Sequence, residues 1–165
     1  LPADIEWHFI GHLQANKVKY IVPYVSLIHS IDSYRLLSEV DRLAAKAGRV
    51  VDCLLQLHIA REETKFGFSF DECRQMLKQD DWRGLSGVRI CGLMGMATNT
   101  NDKAQVRQEF ASLADFFHEL KDGCFAGQET FKELSMGMTH DYHEAIEAGS
   151  TMVRIGTRIF GERVY

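Results

Sequence analysis

The sequence has no excess of positive charge, no long apolar run and no closely spaced pair of cysteines. Its 19 lysine and arginine residues are outnumbered by 23 aspartate and glutamate residues, which gives a formal net charge of −4. Nucleic-acid binding as the main function is not expected, because it depends on an excess of basic side chains. No apolar stretch approaches the roughly 20 residues that span a bilayer, and no secretory signal is visible. We therefore expect a cytoplasmic protein without a membrane or nucleic-acid partner.

The sequence also lacks the common metal and nucleotide motifs. The four cysteines are far apart, at Cys53, Cys73, Cys91 and Cys124. This spacing is not typical of a zinc site or of a disulfide framework, so we expect reduced thiols, partly in the core. His140 and His143 would share a helical face, but no third metal ligand accompanies them, and no metal site is predicted. The GxSxG, P-loop and GxGxxG fingerprints are missing.

What the sequence does contain is a regular alternation of apolar runs and helical patterns. Its 165 residues, 45% of them hydrophobic, suit one domain over residues 1–165 with its own core. Strands are predicted over 5–10, 25–29, 50–59, 88–94, 133–136 and 151–155. Helices are predicted over 14–24, 33–46, 70–78, 103–121 and 142–148, with Ser30 or Asp32 as the cap of the second helix.

Six β-then-α units predict an α/β fold with a parallel sheet and helices outside it. An open doubly wound sheet and a TIM barrel both fit this alternation. A closed barrel has eight strands and typically about 250 residues, so six units are two units short. We expect a TIM-barrel-like chain that lacks its first two βα units, which would also explain its abrupt beginning. Two exposed strand edges would then favour self-association.

An anion site is predicted in the loops that follow the last two strands. Functional groups of parallel α/β folds collect at the carboxyl ends of the strands. If two units precede this sequence, Ser135 follows the seventh strand and Gly156 and Thr157 follow the eighth, where barrels often bind phosphate. Ordinary turn residues would give the same pattern. Arg154, beside them among apolar residues, would either pair with a structural carboxylate or face a ligand.

Three histidines lie in or beside predicted strand ends: His8, His12 and His29. Each would be able to act as an acid or a base near neutral pH. A structural histidine with satisfied hydrogen bonds is the more common role for such a residue, so none is assigned to the site.

Six segments together resemble one family. They are WHFIGHLQANK at 7–17, HSIDS at 29–33, EETKFGF at 62–68, GLMGMAT at 92–98, LSMGM at 134–138 and GSTMVRIGTRIFGER at 149–163. In this order they are similar to the YggS/PROSC family of pyridoxal 5′-phosphate (PLP) homeostasis proteins, and the resemblance extends over essentially the whole chain.

The resemblance implies a single TIM-like barrel, similar to the N-terminal domain of bacterial alanine racemase. It implies a protein that binds PLP and controls the cellular supply of vitamin B6 vitamers, with no established catalytic turnover. Ser135, Gly156 and Thr157 would hold the PLP phosphate, and Arg154 would face the pyridine nitrogen. An arginine there keeps that nitrogen unprotonated, because two positive charges repel each other. The ring is then a weak electron sink, which suits a carrier better than an enzyme.

The sequence departs from the family at the lysine that forms a Schiff base with PLP. In the family this lysine lies on the first strand, and neither that strand nor the Gly-Glu-Asn-like loop after the second is present here. Lys17 and Lys65 fall within matching motifs, but neither takes that position, so no covalent role is assigned.

Three functions remain open: a non-catalytic PLP-binding module, a racemase- or decarboxylase-like PLP enzyme, and a barrel fragment that binds no ligand. The resemblance favours the first, with a monomer expected for the complete barrel.

Overall fold

A computed structural model describes residues 1–63 and 66–164, except for the side chain of Asp80. Its strands are β1 (Trp7–Phe9), β2 (Val25–Ile31), β3 (Val51–Leu57), β4 (Val88–Gly95), β5 (Glu133–Met138) and β6 (Met152–Arg154). Its α-helices are α1 (Val18–Ile21), α2 (Tyr34–Lys46), α3 (Phe70–Lys78), α4 (Lys103–Asp122), α5 (Tyr142–Glu147) and α6 (Thr157–Phe160). Short 3₁₀ helices cover Ala15–Lys17 and Asp80–Gly84.

The six strands form one parallel sheet in the order β1-β2-β3-β4-β5-β6. A doubly wound sheet reverses its strand order at a switch point, whereas this sheet follows the chain order throughout. The sheet is also curled, because His29 on β2 and Ser135 on β5 form a hydrogen bond although two strands separate them. The prediction of a TIM-barrel-like fold with six βα units is confirmed, and β1 and β6 are the edges of the sheet.

Side-chain caps determine where several helices begin. Ser33 caps α2, because its Oγ accepts a hydrogen bond from the Leu36 amide at 3.1 Å. The prediction of Ser30 or Asp32 for this role was wrong, since β2 continues to Ile31 and α2 begins only at Tyr34. Before α3, Ser69 and Glu72 form a reciprocal capping box.

The main core lies between the outer face of the sheet and the helices. Phe131 is its clearest member, since its ring is fully buried and stacks on Phe125 with 4.0 Å between the ring centroids. A smaller cluster of Leu27, Leu54, Cys91 and Met94 fills the inner, concave face.

All four cysteines are free thiols, and Cys53, Cys73 and Cys91 are buried. Burial raises the pKa of Cys73 to about 12 and that of Cys91 to about 11, so these thiols stay protonated at neutral pH. Of the helices that the structure describes, none combines the length and the apolar character needed to cross a membrane.

The approach of β5 to β4 depends on a glycine. Gly92 has φ 154°, and a Cβ built on it would overlap the carbonyl oxygen of Glu133. Because Gly92 pairs with Glu133 in the sheet, any side chain here would push the two strands apart at the beginning of β5, two residues before Ser135.

Candidate functional site

An open cleft of about 940 Å³ lies where β5 and β6 end. Its wall includes His8 from β1, His29 from β2 and the segment 152–157, which contains Arg154, Gly156 and Thr157. Three of the four residues predicted for the site therefore line one cavity. The fourth, Ser135, lies directly beneath Arg154.

Arg154 is almost completely buried, with 8% of its surface exposed. Its Nη1 donates a hydrogen bond to Ser135 Oγ at 2.6 Å, and its Nη2 donates to the Gly95 carbonyl oxygen at 3.1 Å. The sequence left two roles open for Arg154: an ion pair with a structural carboxylate, or contact with a ligand. Both hydrogen-bond acceptors of Arg154 are neutral, so these contacts do not form an ion pair. Burial lowers the pKa of Arg154 to about 10, opposed by the attraction of Asp141. The guanidinium remains charged at neutral pH, and its charge is available to a ligand in the cleft.

Ser135 is fully buried on β5. Its hydroxyl lies between the Arg154 guanidinium and His29, whose Nδ1 is 2.8 Å from the Oγ atom. The structure thus places Ser135 in contact with Arg154, and a direct contact between Ser135 and phosphate stays a prediction.

His29 links Ser135 to His8. Its Nε2 lies 3.2 Å from His8 Nδ1, and the centroids of the two rings are 5.2 Å apart. Burial, together with the positive charge of Arg154 and the proximity of His8, lowers the pKa of His29 from 6.5 to about 3. His29 is therefore neutral at physiological pH. The sequence suggested His8 and His29 only as separate histidines.

Gly156 and Thr157 form the turn between β6 and α6. No atom lies within 4 Å of the position that a Cβ on Gly156 would occupy, so a ligand can approach the backbone closely there. The amides of Ile159 and Phe160 both donate to the Gly156 carbonyl oxygen. The amides of Thr157 and Arg158 belong to the first turn of α6 and have no intrahelical acceptor. An anion would satisfy them.

The other candidate residues are His12, which lies outside the cleft, the lysines and the potential metal ligands. His12 Nδ1 lies 3.5 Å from Asp32 Oδ2, and its ring stacks on Phe66 with 3.6 Å between the ring centroids. None of the described lysines lines the cleft, and Lys65 lies outside the described residues. No cluster of three or more potential metal ligands occurs in the described part of the chain.

Thr139 lines the cleft but was missed by the sequence reasoning. The fifth strand was predicted to end at residue 136, whereas β5 continues to Met138. The first hydroxyl beyond the strand is therefore Thr139 rather than Ser135. The two-residue alternation of strand side chains was the signal that would have found it, because it places Thr139 on the same face as Ser135, four residues further along the chain.

Comparison with known proteins identifies the class to which this fold and cleft belong. The family model of the alanine racemase N-terminal domain matches residues 3–164, and the chain belongs to that family. Alanine racemase from Clostridium difficile superimposes with a TM-score of 0.73 at 13% identity, which shows the shared fold.

The similarity to one group within this class is much higher. The chain is 40% identical over 162 residues to the pyridoxal phosphate homeostasis protein of Aquifex aeolicus, covering 98% of this chain and 69% of the relative. It is 36% identical over 164 residues to the protein of that name from Synechocystis, covering 98% of this chain and 72% of the relative. PipY of Synechococcus elongatus, solved with PLP bound, superimposes with a TM-score of 0.85 at 36% identity, over 98% of this chain and 72% of PipY. The family resemblance drawn from the sequence motifs is confirmed.

Proposed function

We propose that this chain binds PLP in the cleft at the ends of β5 and β6 and serves in the homeostasis of PLP and related vitamers, without catalytic turnover. The observation that carries the proposal is the Arg154 guanidinium, which is buried, charged and held by neutral acceptors at the wall of the cleft. The names of the relatives and the PLP bound to PipY support the same ligand.

The donor set of the cleft fits the chemistry of PLP. The phosphate requires hydrogen-bond donors, which the open backbone at Gly156, the Thr157 amide and hydroxyl, and the Thr139 hydroxyl offer. The pyridine nitrogen requires one donor, and Arg154 can only donate. When bound, PLP supplies an electrophilic aldehyde and an electron-withdrawing ring. Ser135, as predicted, would contribute either directly to the phosphate or through its hold on Arg154.

The absence of turnover is proposed from the charge of Arg154. A cation beside the pyridine nitrogen disfavours protonation of that nitrogen. An unprotonated ring withdraws electrons less strongly than a pyridinium paired with a carboxylate, so the chemistry of most PLP enzymes is weakened. The enzymes that share the fold at 13% identity give no reason to assign their reactions here.

Titration with PLP and with pyridoxal, which lacks the phosphate, tests the assignment. For Thr157→Ala we expect about 10-fold to 150-fold weaker PLP binding, because one hydrogen bond to a charged group, worth about 1.5–3 kcal/mol, is lost. Pyridoxal binding should be unchanged. Thr130→Ala, at the opposite end of the sheet interior, is the matched control.

The double variant Ser135→Ala/Thr157→Ala should bind PLP more weakly still. Ser135→Ala alone separates the two roles of that serine: direct phosphate contact would weaken only PLP binding, whereas a role through Arg154 would weaken binding of pyridoxal as well. Wild-type affinity for PLP in the double variant would overturn the assignment of the cleft.

A further inference from the structure

Four side chains from four strands form one continuous hydrogen-bonded row across the concave face of the sheet. Arg154 of β6 contacts Ser135 of β5, Ser135 contacts His29 of β2, and His29 contacts His8 of β1. The row begins at the wall of the cleft with Arg154 and returns to it with His8, which also lines the cavity. The direct route from β5 to β2 passes over two intervening strands, so the row spans the inside of the curled sheet.

The direction of each hydrogen bond in this row follows from its first member. A guanidinium can only donate, so Ser135 Oγ accepts from Arg154. The Ser135 hydroxyl is fully buried, and the remaining partner for its proton is His29 Nδ1 at 2.8 Å. Donation to His29 satisfies this proton, whereas a buried unsatisfied donor would be costly.

The tautomers of the two histidines are then fixed. His29 is neutral, as its pKa of about 3 indicates, and because its Nδ1 accepts, its proton lies on Nε2. That proton is donated to His8 Nδ1 at 3.2 Å. A neutral His8 must therefore carry its proton on Nε2, the ring nitrogen opposite the one that His29 occupies.

We propose that His29 and His8 are positioning residues of the PLP site, which hold the Arg154 guanidinium through Ser135 in one orientation toward the pyridine nitrogen. This inference rests on the proposed function. It adds that two histidines distant in sequence from the phosphate-binding turn determine how the ring nitrogen is contacted. Ser135 gains its second hydrogen bond from His29, and without that bond its hydroxyl is free to rotate and Arg154 loses a fixed acceptor.

The test compares His29 variants by PLP affinity and by the ¹⁵N chemical shift of the bound pyridine nitrogen. His29→Phe keeps an aromatic ring at this position and removes both hydrogen bonds. We expect about 5-fold to 10-fold weaker PLP binding, the equivalent of one lost hydrogen bond, and a ¹⁵N shift that moves away from the wild-type value. In His29→Asn the side-chain oxygen can still accept from Ser135, so the wild-type ¹⁵N shift should be largely restored. His118→Asn, on the exposed face of α4, is the matched control.

His8→Phe keeps the test decisive if His29→Phe does not fold, because His8 is an exposed residue on the edge strand. It removes the last member of the row, and the ¹⁵N shift should again move. The inference fails if the wild-type chain binds PLP but the foldable variants leave the ¹⁵N shift unchanged, since a purely structural role would alter stability and not the nitrogen. Failure of the wild-type chain to bind PLP would instead reject the proposed function.

Discussion

Acidification from pH 7 to pH 5 should destabilise the folded chain through His29. This side chain is 1% exposed. Burial first, then the charge of Arg154 and the proximity of His8, lower its pKa from 6.5 to about 3. Between these two values the unfolded chain takes up a proton on His29 and the folded chain does not. The contribution to stability is therefore complete above pH 6.5 and is lost progressively as the pH falls toward 3.

The size of the effect follows from the two pKa values. Well below pH 6.5, each further pH unit costs about 1.4 kcal/mol of unfolding free energy. Because His29 is still largely deprotonated in the unfolded chain near pH 7, the loss between pH 7 and pH 5 is smaller than two full units, about 2 kcal/mol. Against a typical domain stability of about 5–15 kcal/mol, this difference is large enough to measure.

Urea unfolding of the wild type, His29→Asn and His118→Asn at pH 7, 6 and 5 provides the measurement. Other groups titrate in all three proteins, so the informative quantity is the difference in pH dependence. The wild type and His118→Asn should lose about 2 kcal/mol more than His29→Asn between pH 7 and pH 5. Equal losses in all three proteins would show that His29 is protonated in the folded state and would refute the tautomer argument as well.

Two further substitutions test the packing of the sheet and of the main core. Gly92→Ala should destabilise the chain by at least about 3 kcal/mol, because φ is 154° at this position and the new Cβ would overlap the Glu133 carbonyl oxygen. Gly84 has open space around it, so Gly84→Ala should change the stability little and is the control. Thermal unfolding measures both variants. Phe131→Ala should cost about 3–5 kcal/mol by leaving a cavity beside Phe125, and an unfolding midpoint close to that of the wild type would contradict this core assignment.

The fold could be predicted from the sequence where elements are long or capped. The helix at Phe70–Lys78 has the predicted bounds, because Ser69 and Glu72 form a recognisable capping box before an amphipathic run. The helix predicted over 14–24 is instead a 3₁₀ turn followed by Val18–Ile21. Helix α6 was not predicted. Elements of three or four residues are too short to show a 3.6-residue period, so pattern reasoning misplaces or misses them.

The candidate site was predictable only in part. Ser135 and Arg154 are 19 residues apart, but they belong to consecutive strands, and consecutive strands of a βα fold lie side by side. His29 is 106 residues from Ser135. Its contact depends on how strongly four strands curl, which no local pattern specifies. The sequence could therefore indicate the half of the row on β5 and β6 and not the half on β1 and β2.

The neutral hydrogen-bond partners of Arg154 have a consequence for the kind of protein that the site suits. If a buried arginine forms an ion pair with a carboxylate, that carboxylate neutralises most of its charge, and a ligand then meets a nearly neutral pair. Arg154 instead has a hydroxyl and a carbonyl as its acceptors, and the histidine behind them is neutral. Its positive charge, attracted by the nearby Asp141 but not paired with it, lies at the wall of the cleft. In the proposed function this charge would strengthen contact with an acceptor and oppose protonation of a ring nitrogen. In the proposed function the same group would favour binding and weaken electron withdrawal, which is the combination that a cofactor carrier requires.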